Sequence, residues 1–356
     1  MNMLSMPHVG VLPAGVLGTI GDVAGVTVGH CTLADGPIQT GVTVVRAHRD
    51  DPYRHKVPAA ASVINGFGKS IGLVQVEELG VLETPIALTN TFGVAAVAQA
   101  QIRAAVASSP QIGREWSTVN PLVFECNDGY LNDIQALAVE DQHYVAALDA
   151  ATSGFERGSV GAGRGMSCFD LKGGMGSASR IVNVASQDFT VGALVLANFG
   201  RLPMLTFDGV PIGRELSARK QTSTQPTATK PEQGSIIMIV ATDAPLDSRQ
   251  LKRLSMRAAA GLARTGSVYG HGSGDIALAF STAWTVPHEA DFIATPPLLS
   301  DARLDPLFHA CADSVEQAII DALWSATSVT GRDAHTRLSL REAAPDLEQL
   351  LKRHTT

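Results

Sequence analysis

The sequence predicts a mixed α/β chain whose strands run in meanders rather than in strict strand–helix–strand alternation. Three observations carry this. Short apolar runs rich in Val and Ile recur along the chain, among them 22–30, 41–46, 121–125, 179–185, 190–198, 235–241 and 275–280. Helical spacing of apolar residues is confined to a few segments, chiefly 91–107, 251–262 and 306–326. Consecutive strand-like runs also follow one another directly, as 190–198 follows 179–185, with no helix-length segment between them.

In chain order, DVAGVTVGH (22–30) and GVTVVR (41–46) read as strands, and AAASVI (59–64) leads into the loop NGFGKS. The segments 72–78 and 85–89 fit either strand or helix. Residues 91–107 are Ala-rich with the spacing of a buried helix. PLVFE (121–125) reads as a strand ending on the turn CNDGY, and a helix is expected from about 132 to 139. A glycine-dense stretch, 158–176, precedes the paired runs 179–185 and 190–198. Residues 216–234, LSARKQTSTQPTATKPEQG, are polar and rich in Thr, Gln and Pro, and read as a flexible linker. Ser235 then opens the most apolar β-like run of the chain. Asp247 and Gln250 have the spacing of a capping box before a helix carrying Leu251, Leu254, Ala258 and Leu262, with Gly266 as its stop. A long helix follows at 306–326, and the tail 336–353 reads as a weaker helix interrupted by Pro345. No internal repeat is found, and 1–356 reads as one domain.

Bulk properties exclude several classes. The 356 residues are 45% hydrophobic and 17% charged, with a net charge of −7. That balance lacks the basic footprint of a nucleic-acid binder, and no polybasic run suits an anionic membrane surface. The four cysteines, Cys31, Cys126, Cys168 and Cys311, lie far apart without C-x-x-C spacing and read as buried free thiols. No secretory signal or membrane span is expected, so a cytoplasmic setting is. No metal or cofactor is expected either. The chain has no H-E-x-x-H, no G-x-S-x-G elbow, and its glycines at 161–165 lack the G-x-G-x-x-G spacing.

The polar linker ends abruptly on Gly234, and Ser235 begins a buried strand. Self-cleavage needs such a junction: a hydroxyl on a rigid element, next to a carbonyl preceded by a residue of free backbone conformation. Attack by Ser235 on the Gly234 carbonyl would give an ester, whose hydrolysis frees a serine with its own α-amine. That amine has a reference pKa near 8 and can act as a base close to neutral pH. Spacing alone leaves this open, since an ordinary linker followed by a strand reads the same way.

Further motifs carry a resemblance. GSIIMIVATDAPL, GLARTGS and SGDIALAFST resemble the β-subunit of the self-processing aminopeptidases that include L-aminopeptidase/D-esterase and the β-peptidyl aminopeptidases. Upstream, DVAGVTVGH, LETPIALTNTFGV, ECNDGYLND, VGAGRGM, FDLKGGMGSASR and VLANFGR resemble the α-subunit, in order. The resemblance spans nearly the whole chain. It implies a four-layer αββα sandwich like that of the ornithine acetyltransferases, cleavage into 1–234 and 235–356, and assembly into tetramers or larger. It implies an activity on short peptides, amides or esters bearing a free amine. Residue by residue, it implies Ser235 as nucleophile, Ser273 and Asp275 beside it, Asn198 as donor to the oxyanion, and Glu125 as anchor of the substrate amine. The chain departs at Asn127, where some members carry an aromatic hydroxyl, and at Asp275, which is Glu in the β-peptidyl branch.

Three alternatives stand beside this reading. They are a preference for β-peptides, an acyltransferase of the same fold, and a non-catalytic binding protein. The transferases use a threonine in a different local motif. His271, Lys69 and Lys172 receive no role.

Overall fold

The computed structural model describes residues 6–221 and 233–352. The elements are β1 (Thr27–Asp35), β2 (Ile38–Arg46), β3 (His55–Gly66), α1 (Leu73–Leu79), β4 (Val81–Leu82), β5 (Ile86–Asn90), α2 (Val94–Ser108), β6 (Leu122–Cys126), α3 (Asp141–Asp149), β7 (Ser167–Cys168), β8 (Leu171–Lys172), β9 (Gly174–Val184), β10 (Gln187–Asn198), α4 (Ile212–Gln221), β11 (Gln233–Thr242), α5 (Ser248–Ser255), α6 (Ala258–Arg264), β12 (Gly272–Ser281), β13 (Val286–Pro287) and α7 (Asp305–Ser325). A short hairpin, β14 (Val329–Thr330) with β15 (Thr336–Arg337), and two short helices, α8 (Leu340–Ala343) and α9 (Leu347–Lys352), complete the described chain.

Two sheets stack face to face. The smaller has the order β1-β2-β5-β6; the larger has β13-β3-β12-β11-β10-β9, with β4 alongside β3. The layer between them is apolar: Val28, Val45, Leu88 and Phe124 from the small sheet meet Ala61, Leu196, Ile237, Ile239 and Leu278 from the large one. Strand alternation sends the neighbouring residues outward. Val195, Met238, Val240 and Ala279 pack under α5, α6 and α7, while Val42, Val44 and Val123 pack under α2 and α3. The result is the four-layer αββα sandwich.

Continuous apolar runs such as those of β10 and β11 follow from burial on both faces. The capping box at Asp247 is present: its carboxylate accepts from Gln250 N at 2.7 Å. The helix α7 is buried nearly all round, and its buried acidic residues are paired, Asp313 and Glu316 with Arg264 and Asp321 with Arg157.

Several boundaries differ from those read in the sequence. The first strand begins at Thr27, because Ile20–Asp22 forms a capped single turn. The helix expected over 132–139 is one 3-10 turn, Ile134–Ala136, and α3 starts at Asp141; Asn132 is instead used to bind Asp128 and the β2 backbone. The helix after Asp247 breaks at Met256–Arg257 into α5 and α6. Residues 216–221, assigned to the linker by composition, are the end of α4, held because Ile212 and Leu216 are buried in the core. Of the remainder, 222–232 lie outside the described residues, and 233–234 open β11 rather than ending the linker. Cys31 is half-buried rather than buried, and all four thiols are free.

Candidate active site

The site grows from the start of β11, a central strand with β10 antiparallel on one side and β12 parallel on the other. Register places Ser235 opposite Asn198 on β10 and opposite Gly274 on β12. Ser235 is 6% exposed. Its Oγ donates to the carbonyl of Gly234 at 2.7 Å and accepts from Gly274 N at 3.2 Å. The hydroxyl thus lies within hydrogen-bond reach of the carbonyl group it would attack. Gly234 is required for a different reason from backbone freedom, since its φ is not in the left-handed region. A Cβ there would stand 2.7 Å from both Asn198 O and Phe199 Cα. Only a residue without a side chain lets β11 approach β10 this closely.

Ser273 and Asp275 stand in register with Gly234 and Ile236, one residue to either side of Ser235. Ser273 Oγ donates to Asp275 Oδ1 at 2.5 Å, and both residues are buried. Strand alternation turns this pair toward the sheet face opposite that of Ser235, which shares the side of Ile237 and Ile239. The pair therefore belongs with the backbone around Ser235 rather than with its hydroxyl. A bulge against β3 falls between Asp275 and Ile276. There Asn65 Nδ2 donates to Gly270 O at 2.9 Å and to Ser273 O, pinning the segment.

Asn198 closes β10 on the same sheet face as Ser235. Its Oδ1 accepts from Ser167 N at 2.8 Å, and its Nδ2 donates to Asn127 O at 2.9 Å. Those contacts fix which end of the amide is oxygen and leave one of the two Nδ2 hydrogens for another acceptor. The side chain of Asn127 is exposed and turned onto its own loop, accepting from Gly129 N at 2.9 Å. It contributes its carbonyl to the site.

Glu125 is the last residue but one of β6 in the other sheet and is 3% exposed. Its Oε1 accepts from Lys69 N at 2.8 Å and its Oε2 from Thr91 Oγ1. The glycine-rich loop after β3 joins it to the serine. A Cβ at Gly68 would sit 3.7 Å from Glu125 Oε1 and 3.8 Å from Gly274 Cα, the residue paired with Ser235. The neighbouring Cys126 offers no rival nucleophile, because full burial pushes its thiol well above the ordinary range. Among the described residues no group of three or more His, Cys, Asp or Glu is placed to hold a metal ion. No described helix is long and apolar enough to cross a membrane.

Comparison with known proteins decides the family. The family model described as peptidase family S58 matches residues 18–337. The chain belongs to peptidase family S58. A β-peptidyl aminopeptidase of Sphingosinicella microcystinivorans is 38% identical over 370 residues, covering 99% of this chain and 91% of that protein. Among solved structures, a protein of Pyrococcus horikoshii OT3 superposes with a TM-score of 0.91 at 45% identity, covering 98% of both chains. The L-aminopeptidase D-Ala-esterase/amidase of Ochrobactrum anthropi, described as a variant of the Ntn hydrolase fold, gives 0.88 at 34% identity over 98% of this chain and 97% of that one. This S58 peptidase is accordingly a hydrolase.

The structure brings Ser235, Asn198, Ser273 and Asp275 together on adjacent strands, and Glu125 reaches them through the loop 66–69. Sequence reasoning missed Asn65, Thr91 and Ser167, which hold those residues in place. The glycines of NGFGKS and GAGRGM were the available signal, because glycine clusters mark close backbone approach. Lys172, left without a role, is fully buried and donates to Gly163 O and Gly173 O at 2.9 Å each, closing the glycine-rich loop. Burial holds its ammonium well below the usual lysine range.

Proposed function

We propose that this S58 hydrolase cleaves its own chain between Gly234 and Ser235 and then acts as an aminopeptidase on short peptides, amino-acid amides or esters. The observation that carries the proposal is the contact of Ser235 Oγ with the Gly234 carbonyl, 2.7 Å away at the head of a rigid central strand.

In the first reaction, Oγ attacks the Gly234 carbonyl carbon, the peptide C–N bond breaks, and the Ser235 nitrogen leaves with the Oγ proton. Water then hydrolyses the resulting ester, giving a Gly234 carboxylate and a free Ser235. In the second, the α-amine of Ser235 takes the Oγ proton while Oγ attacks the substrate carbonyl. The unused Nδ2 hydrogen of Asn198 donates to the oxyanion, an interaction typically worth about 3 kcal/mol of barrier. Collapse expels the leaving amine or alcohol with that proton, and water releases the acyl group. Ser273 and Asp275, in register with the backbone at Ser235, hold the α-amine in place. Glu125 pairs with the substrate ammonium, and its two donors leave acceptor sites for it.

A homo-oligomer of cleaved units and a cytoplasmic setting belong to the same proposal, the second supported by four free thiols. A preference for β-peptides is a second reading, favoured by the relative of 38% identity. Rates on L-alanine and β-alanine anilides distinguish the two. The test of cleavage is the intact mass of the purified protein. Two fragments, 1–234 and 235–356, are expected, and a single chain stable over days would overturn the proposal.

A further inference from the structure

The Asn198 amide is oriented by two backbone groups from separate loops, the N–H of Ser167 on the β7–β8 hairpin and the carbonyl of Asn127 on the turn after β6. Each loop meets β10 only at one edge, through Asn198 itself and the short contacts of β7 and Cys126 with β10. Both are held by the β14–β15 hairpin near the end of the described chain. Arg332 Nε donates to Gly129 O at 2.7 Å and Arg332 N to Leu131 O at 2.8 Å. His335 Nδ1 lies 2.9 Å from Tyr130 O, and its ring stacks on that of Tyr130 with centroids 4.6 Å apart. A Cβ at Gly331 would stand 1.8 Å from Leu131 O, so the hairpin backbone rests directly on the turn.

One side chain spans both loops. Arg337 Nε donates to Ser167 Oγ at 3.1 Å, and its guanidinium carbon lies 3.9 Å from the centroid of the Tyr130 ring. Its far nitrogen is 3.9 Å from Asp170 Oδ1 on the same hairpin as Ser167. A planar guanidinium can stack on an aromatic face and donate from its edge at once, which lysine cannot reproduce.

We propose that Arg337 is a positioning residue for the reaction: by tying the Ser167 loop to the Tyr130 turn, it sets the angle at which the Asn198 amide meets the oxyanion. The proposal rests on the oxyanion role of Asn198. A donor is effective only when aimed at the place where charge develops, so a tilted amide costs rate without costing substrate affinity.

The test uses processed, purified enzyme and a chromogenic amino-acid anilide, comparing parent, Arg337→Ala, Arg337→Lys, Ser167→Ala, Asn198→Ala and the Arg337→Ala/Asn198→Ala double variant. Arg337→Ala lowers kcat about ten- to a hundredfold with KM near the parent value. Arg337→Lys recovers little of it. Ser167→Ala, which keeps the backbone N–H but removes the hydroxyl that Arg337 holds, gives a smaller loss in the same direction and serves alone if the Arg337 variants do not fold. In the double variant the Arg337 loss disappears, because there is no amide left to aim. Equal Arg337 losses with and without Asn198 overturn the proposal, as does a rise in KM with kcat unchanged. If Asn198→Ala slows turnover but Arg337→Ala and Ser167→Ala do not, the positioning role fails while the oxyanion role stands. If Asn198→Ala turns over at the parent rate, the oxyanion role itself fails.

Discussion

Three residues carry sharp expectations of their own. Ser235→Ala removes the hydroxyl that faces the Gly234 carbonyl, so the chain should remain full-length on a denaturing gel and show no turnover. Processing of that variant at the same bond would remove Ser235 from the chemistry. Glu125→Gln keeps the side chain's shape and one accepting oxygen for Lys69 N, puts an NH2 against the Thr91 hydroxyl, and loses the charge. It should weaken substrates with a free amine by about 2 kcal/mol relative to N-acetylated ones, and equal loss for both would remove its anchoring role. Asp128, in the turn after Glu125, is fully buried, and burial pushes its carboxyl up to about 7 despite the hydrogen bond from Asn132. An acid whose folded pKa lies above its unfolded value of 3.8 holds its proton in the folded state throughout the window between the two. Its contribution to stability is therefore greatest below about 4, falls as pH rises to about 7, and is level above that. Asp128→Asn mimics the protonated form, so its thermal midpoint relative to the parent should climb across that window. A difference independent of pH would show that Asp128 titrates normally.

At the scale of elements, legibility follows from how local the cause is. The runs of β10 and β11 were readable because burial on both faces demands unbroken apolar sequence, and α5 was readable because its cap lies within four residues. The end of α4 was not. Its polar surface residues look like linker, and what keeps it helical is the burial of Ile212 and Leu216 against distant segments. The site divides the same way. Ser235 and Asn198 sit on strands whose pattern is visible, whereas Asn65 and Thr91 act through their side chains and Ser167 through its backbone N–H on groups brought near only by the fold. Close approach between elements can itself be tested. A Cβ at Gly176 would stand 2.0 Å from Ala318 O, where α7 lies on β9. Gly176→Ala must push that helix off the sheet and should cost about 1–3 kcal/mol in chemical denaturation. An unchanged unfolding midpoint would mean that α7 moves freely at that crossing.

Across the whole molecule, the proposed cut falls inside a sheet rather than between domains. Residues before Gly234 supply β3, β9 and β10 to the large sheet, and residues after it supply β11, β12 and β13. Two of the downstream strands are enclosed by upstream ones: β11 pairs with β10, and β12 pairs with β3. The downstream helix α7 lies on β9 and β10, both upstream. The apolar layers on either face of the sheet mix side chains from both fragments, as Leu196 with Ile237 and Val195 with Met238. Breaking one backbone bond at the head of β11 removes none of these contacts, whereas pulling the fragments apart exposes the core of each. The two fragments should therefore co-elute by size-exclusion chromatography in native buffer and unfold in one transition, separating only in denaturant. Separation in native buffer would mean that the strand pairing across β10 and β11 does not survive cleavage, and with it the alignment of Asn198 opposite Ser235 on which turnover depends.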